Sequence, residues 1–265
     1  MKTFRQGKII SALLLAAVLF FTSCKKDKSE EILTGSVQKL EKISVGEEFL
    51  NFTYNTDGTL KQAIIKDELS SGGDVVTYAI TYDAQKRMSQ VNTSEGEKLF
   101  PVYVNNQLAK VEVKDNTNTQ IGLTEYTYEG GLLKTATVRT SLTGTMIDLM
   151  KFEFTYNAVG NISKTSYFFV DPVNGGLDPD GYVTYEYDNK QNPLTAVKEF
   201  LKLIWYVPSN NNISKEIHVG ANAAAEETVE YNYSYNARNL PQSGTVKRTV
   251  PGAPVENLPL QVMYK

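Results

Sequence analysis

One pattern returns along this chain and limits what it can fold into: alternating aromatics, then Asp or Asn, then a short turn, then an apolar residue opening the next stretch. The copies are Phe52 to Leu60, Tyr82 to Met88, Tyr103 to Leu108, Tyr126 to Leu132, Phe152 to Ile162, Tyr185 to Leu194 and Tyr231 to Pro241. Taken at residues 54, 82, 104, 128, 156, 187 and 235, they lie 22 to 31 residues apart until a last gap of 48. Aromatics at period 2 favour a pleated, half-buried strand, and Asn or Asp followed by Gly suits a tight reversal. Gly58 and Gly160 fill the fourth turn position, where positive φ costs Gly nothing. Asn239 is the next best residue for that slot, and Lys86 and Gln191 suit it less well.

Each copy predicts a β-hairpin, so seven give about fourteen strands, with Val37 to Val45 and Leu260 to Tyr264 as possible additions. Short connections make the sheet an antiparallel meander. Twist of roughly 20 to 25° per strand pair keeps so many strands from lying flat. The expected fold is all-β, one strongly curved or rolled sheet in a single domain spanning 37–265, with an insertion at about 200–228.

The N-terminus carries Lys2, Arg5 and Lys8 with no acid, then an apolar stretch from Ile9 to Phe21 broken only by Ser11. Such a stretch falls short of the roughly 20 residues that a membrane-crossing helix needs, so 1–23 reads as a secretory signal peptide. Phe21-Thr22-Ser23-Cys24 resembles a bacterial lipobox, which implies cleavage before Cys24 and acylation of that cysteine. Residues 24–36 then form the lipidated Cys and a charged tether, with Lys25-Lys26-Asp27-Lys28-Ser29-Glu30-Glu31 unable to bury apolar area. This run resembles the surface-export signal of Bacteroidota lipoproteins, implying an outer-membrane lipoprotein facing outward, with a periplasmic face as the alternative. The repeating unit itself resembles the YD repeat of Rhs-type proteins, most closely at Tyr82-Asp83 and Tyr187-Asp188. Lipobox, tether and repeat together resemble a family of Bacteroidota outer-membrane lipoproteins with no assigned activity.

Charge narrows the partners. Removing 1–23 takes away three basic residues and no acid, leaving 24 Lys and Arg against 30 Asp and Glu, a balance of −6. Nucleic acid is therefore not an expected partner. A single His and a single Cys exclude a two-imidazole metal site, a Cys-rich cluster and an internal disulfide.

The tyrosines share strand faces with other aromatics, which marks a core face rather than an exposed sugar platform. Trp205 and Tyr206 stand beside Asn210, Asn211 and Asn212 in the expected insertion. An aromatic face next to amides suits a sugar, and a core Trp with an Asn-rich turn is the competing reading. Asp171, Asn174, Asp178 and Asp180 supply four oxygen side chains to a Gly-containing loop that could wrap calcium, although the spacing is not that of an EF-hand and turn chemistry also accounts for them. His218, flanked by Ile217 and Val219, is expected to point to solvent or an edge. No nucleophile elbow, phosphate loop or dinucleotide fingerprint is present, and no cofactor is implied. The sequence thus predicts a lipid-anchored, non-catalytic binding or scaffolding module for an extracellular glycan or an envelope protein. A carrier of a lipid or other amphiphile in a curved-sheet cavity is the alternative, and a hydrolase the weakest.

Overall fold

The computed structural model describes residues 38–66 and 75–265. The signal peptide, Cys24 and the tether lie outside the described residues.

Those residues form sixteen antiparallel strands and one short α-helix. The first strands are β1 (Leu40–Val45), β2 (Glu48–Tyr54), β3 (Leu60–Lys66), β4 (Val75–Tyr82), β5 (Met88–Thr93) and β6 (Lys98–Val104). Next come β7 (Gln107–Lys114), β8 (Gln120–Glu129), β9 (Leu132–Leu142), β10 (Thr145–Tyr156), β11 (Ile162–Val170) and β12 (Leu177–Gln191). A 3₁₀ turn, Pro193–Val197, runs into α1 (Lys198–Leu203) before β13 (Asn211–Gly220), β14 (Ala225–Tyr235), β15 (Pro241–Thr249) and β16 (Glu256–Tyr264).

Every strand pairs with its neighbour in sequence, and β1 also pairs with β16, from Leu40 opposite Tyr264 to Val45 opposite Leu260. The sheet is therefore a closed barrel. This corrects the expected open, curved or rolled meander of YD-type hairpins, because the register of β1 on β16 leaves no edge. The resemblance to the YD repeat of Rhs-type proteins falls with it.

Closure has a local cause in the recurring aromatic. The register shifts at Thr53/Tyr54, Thr81/Tyr82, Val102/Tyr103, Thr127/Tyr128, Thr155/Tyr156, Glu186/Tyr187 and Ser234/Tyr235. A bulge bends its strand and sharpens the local twist, and one bulge in each of seven strands, all at the same end, rolls the sheet up. Tyrosine hydroxyls then tie that end together. Tyr54 donates to the Leu40 carbonyl at 2.7 Å, Tyr82 to Leu60 at 2.7 Å, Tyr128 to Leu108 at 2.9 Å and Tyr156 to Leu133 at 2.8 Å. Tyr187, Tyr233 and Tyr264 repeat the bond to Ile162, Ile213 and Pro241. Burial pushes the phenols of Tyr54, Tyr82 and Tyr128 up to about 12, so all three stay protonated donors at neutral pH.

The turns at this end follow the sequence reading. Gly58 and Gly160 adopt positive φ, as do Asn239 at +57° and Lys86 at +59°. Gln191 does not occupy such a turn: it ends β12 and pairs with Asn211.

The two faces of the wall differ in their prevailing polarity. Inward positions carry Phe52, Val91, Val111, Phe152, Val183, Val229 and Val246, all buried. Outward positions carry Lys, Glu, Arg, Thr and Asn, joined by cross-strand pairs such as Arg139 to Glu125 and Asp148, both at 2.6 Å, and Lys247 to Glu230 at 2.6 Å. The outward aromatics Phe49, Phe100, Phe168 and Tyr182 each lie under a lysine ammonium, 4.1–4.9 Å from the ring centre. A barrel facing lipid shows an apolar outer band and a polar interior. This wall has the reverse polarity and is built for water.

Candidate functional site

A sixteen-stranded barrel is wide enough to leave an open channel. Here the segment between β12 and β13, residues 192–210, folds inward and plugs the bulged end. Its two ends are pinned to each other, the Asn192 amide donating to the Ser209 carbonyl at 2.9 Å. Asn192 also caps the 3₁₀ turn by accepting from the Leu194 amide. Leu194, Val197, Phe200, Leu201 and Leu203 are all 4% exposed or less, and Phe200 meets the Tyr78 ring edge-on at 5.4 Å.

Helix α1 ends in a Schellman turn. The Tyr206 amide reaches back to the Leu201 carbonyl at 2.9 Å and the Trp205 amide to Lys202 at 3.1 Å. This places Trp205 at φ +64°, a slot that Gly usually fills and a bulky residue adopts at a cost. The strain aims the indole into the lumen, where its Nε1 donates to Thr124 Oγ1 at 3.0 Å.

Above the plug lies a cavity of about 670 Å³, within the range of small-molecule sites. Leu201, Leu203, Ile204, Trp205 and Tyr206 form its floor. Its walls are inward residues of β2 to β10, among them Leu50, Ile65, Tyr78, Leu99, Val138 and Met150. Its mouth, at the end opposite the bulges, carries Glu48, Glu95, Glu97, Thr140 and Ser141, with Lys66 and Arg139 also contributing. Burial, and then the charge of Glu95, raises the Glu97 carboxyl above its ordinary value. The chemistry is that of a greasy cup with a polar lip.

On the β11 to β15 side the lumen is filled. Tyr167, Tyr231, Glu216 and His218 pack there, with His218 Nε2 3.2 Å from Glu216 and the Tyr231 hydroxyl donating to the same carboxyl at 3.3 Å. His218 is 0% exposed. The expectation that it faces solvent is thus corrected: Ile217 and Val219 take the outward positions, and on the inward face His218 Nε2 and the Tyr231 hydroxyl both meet the Glu216 carboxyl, while His218 Nδ1 is left without a hydrogen-bond partner.

The expected site residues separate. The strand-free segment runs from 192 to 210 instead of about 200–228, the remainder being β13, a turn and the start of β14. Trp205 and Tyr206 lie inside, on the cavity floor. Asn210 is exposed, whereas Asn211 and Asn212 are 4% and 1% exposed. Asn211 accepts from the Asn161 amide at 2.6 Å, and the Asn212 amide donates to Asp188 at 2.6 Å and to the Tyr235 hydroxyl at 2.7 Å. Those two amides tie the start of β13 to its neighbours in the wall. Asp171 accepts from the Val173 amide at 2.8 Å and from the Asn174 side chain, while Asp178 and Asp180 belong to β12. Among the described residues no three His, Cys, Asp or Glu side chains gather as a metal set. The cavity walls went unseen in the sequence, although the apolar spacing Leu194, Val197, Leu201 is that of one helix face.

No family model and no curated protein matches the chain. Among solved structures, a porin-like protein from Bacteroides uniformis is 13% identical and superposes with a TM-score of 0.56, covering 85% of this chain and 98% of the other. A porin-like protein from Bacteroides vulgatus is also 13% identical, over 86% and 99% of the two chains, at a TM-score of 0.47. At such identity the first likeness speaks for the fold alone, so what this chain shares with known proteins is a closed barrel architecture.

Proposed function

We propose that the barrel is a non-catalytic carrier or binding protein for an apolar or amphiphilic small molecule, held in the lumen above the plug. The observation that carries this reading is the cavity of about 670 Å³ with apolar walls, an aromatic floor and one polar mouth. Each methylene withdrawn from water contributes about 0.8 kcal/mol, so a chain of about ten carbons gains roughly 8 kcal/mol before the cost of association. Trp205 and Tyr206 serve as ligand contacts from within the cup. The sugar-platform alternative loses two of its three amides, since Asn211 and Asn212 are committed to internal hydrogen bonds.

Attachment to the outer membrane belongs to the lipid at Cys24, with 24–36 as its tether and the domain on the outward side. The polar wall supports this division of labour, because such a surface cannot itself enter a bilayer.

The test uses the mature chain carrying Cys24→Ser, which leaves it unacylated. Native mass spectrometry after mild purification is expected to show a bound amphiphile, and added N-phenyl-1-naphthylamine is expected to bind one per chain and perturb Trp205 emission. Val138→Phe, which fills the cavity from an inward wall position, should weaken that uptake about tenfold or more while circular dichroism stays unchanged. A folded protein that takes up no apolar probe would sink the reading.

A further inference from the structure

The two ends of the barrel carry opposite charge. At the plugged, bulged end the connections between strands, with Lys39 and Lys265, hold seven cations and three acids, a side-chain balance of +4. Lys86 meets Asp57 at 2.9 Å, Arg87 meets Asp83 at 2.8 Å and Lys202 meets Glu199 at 2.9 Å. Lys39, Lys198, Arg238 and Lys265 exceed those three pairs. A salt bridge redistributes charge without removing it, so the balance holds whatever further pairs form. At the mouth, the described connections hold Glu47, Glu95, Glu97, Asp115 and Asp171 and no cation, a balance of −5. The two outermost residues of each strand add as many cations as acids at either end, so the contrast stands when they are counted.

The chain enters the barrel at the positive end. Lys39 exchanges backbone hydrogen bonds with Lys265, and both ammoniums flank the Tyr54 ring, 5.2 and 5.8 Å from its centre. Residues 25–37, between Cys24 and the barrel, can span up to about 45 Å when extended. That reach allows either end of the barrel to meet the membrane of attachment, so length does not choose between them. Charge does. Strands of this length put the ends about 20 Å apart, beyond the Debye length of about 8 Å at physiological salt, so a charged surface feels the near end and hardly the far one.

We infer that the plugged end rests on an anionic lipid surface, with Lys39, Lys198 and Lys265 toward the head groups, and that the mouth faces away from the membrane to which the chain is attached. The choice of membrane rests on the attachment reading above, whereas the charge argument needs no acyl chain. The cup then loads from the side away from that membrane.

The experiment mixes the mature Cys24→Ser chain with vesicles of phosphatidylcholine alone or of phosphatidylcholine with phosphatidylglycerol, and measures binding by flotation. The tether sets Lys25, Lys26 and Lys28 against Asp27, Glu30 and Glu31 and so adds no net charge. Although the mature chain is acidic overall, binding to the anionic vesicles is expected to be about tenfold tighter at low salt, with the preference lost at high salt. Lys198→Glu with Lys265→Glu brings the plugged end to zero and should abolish the preference. Lys98→Glu with Lys114→Glu, a cross-strand pair near the mouth, changes net charge equally and should leave it intact. On the bound protein, a nitroxide lipid should quench a fluorophore attached at Thr56→Cys, in a turn of the plugged end, and spare one at Asn116→Cys, in a turn of the mouth. Equal affinity for the two vesicle types overturns the inference, as does a preference that survives Lys198→Glu with Lys265→Glu. Quenching at Asn116→Cys alone also overturns it and would mean that the exposed Leu142, Val173 and Val255 dip into lipid instead. Uptake of N-phenyl-1-naphthylamine by the same samples reports fold and cavity separately, so failure here leaves the cavity reading standing.

Discussion

Glu216 is the side chain for which burial and charge conflict most sharply. It is 1% exposed, and desolvation raises its carboxyl despite the hydrogen bonds from His218 and Tyr231, with the charge of Glu227 adding to the rise. A raised folded value means that the folded protein keeps a proton that the unfolded chain releases. Stability from this group is therefore full below the ordinary carboxyl range and declines as pH climbs from there toward the folded value. Glu216→Gln is expected to flatten that slope, so urea denaturation between pH 4.5 and 7.5 should show the substituted protein losing less stability than the parent as pH rises. An unchanged slope would mean that the carboxyl is not the titrating group. At this scale the sequence was half legible. The tyrosine faces and Gly58, Gly160 and Asn239 obeyed local rules of strand period and turn geometry. The inward turn of His218 did not, because its neighbours Ile217 and Val219 advertise the opposite face, and the Glu216 carboxyl that it meets inside is also held by Tyr231 of the next strand.

Helix α1 is an element whose stability comes wholly from where it lies. Six residues are too few to hold a helix in water; its Asn192 anchor, its Schellman end and three buried apolar side chains keep it folded inside the wall. Phe200→Ala is expected to cost about 3–5 kcal/mol, the range for emptying a buried aromatic site, read as a lower urea midpoint. A loss below about 1 kcal/mol would show that the helix docks loosely and that the cavity floor is adjustable. The strands were readable in advance because each rests on short-range alternation. The plug was not, since the long gap before Tyr235 announces extra residues without saying that they go inward. The cavity followed it out of sight: a wall residue such as Leu99 looks like any core residue until the plug stops short of filling the space above it.

The whole molecule inverts the polarity that its barrel outline suggests. A lipid-facing wall carries an apolar outer band, yet here the outward Arg139 joins a water-exposed network with Glu125 and Asp148. The mature Cys24→Ser chain is therefore expected to remain soluble and monomeric without detergent in size-exclusion chromatography, and a requirement for detergent would contradict the wall described here. Closure could not be read locally, because the pairing of Leu40 with Tyr264 joins residues more than two hundred positions apart and leaves no mark in either stretch. That same pairing governs how the protein must be made. Lys39 and Lys265 exchange backbone hydrogen bonds of 2.9 and 3.0 Å, so the first strand waits unpartnered on one side until the last has been synthesised. Until then the nascent sheet carries two open edges and an uncovered apolar face, and this long wait makes biogenesis slow and dependent on protection from self-association.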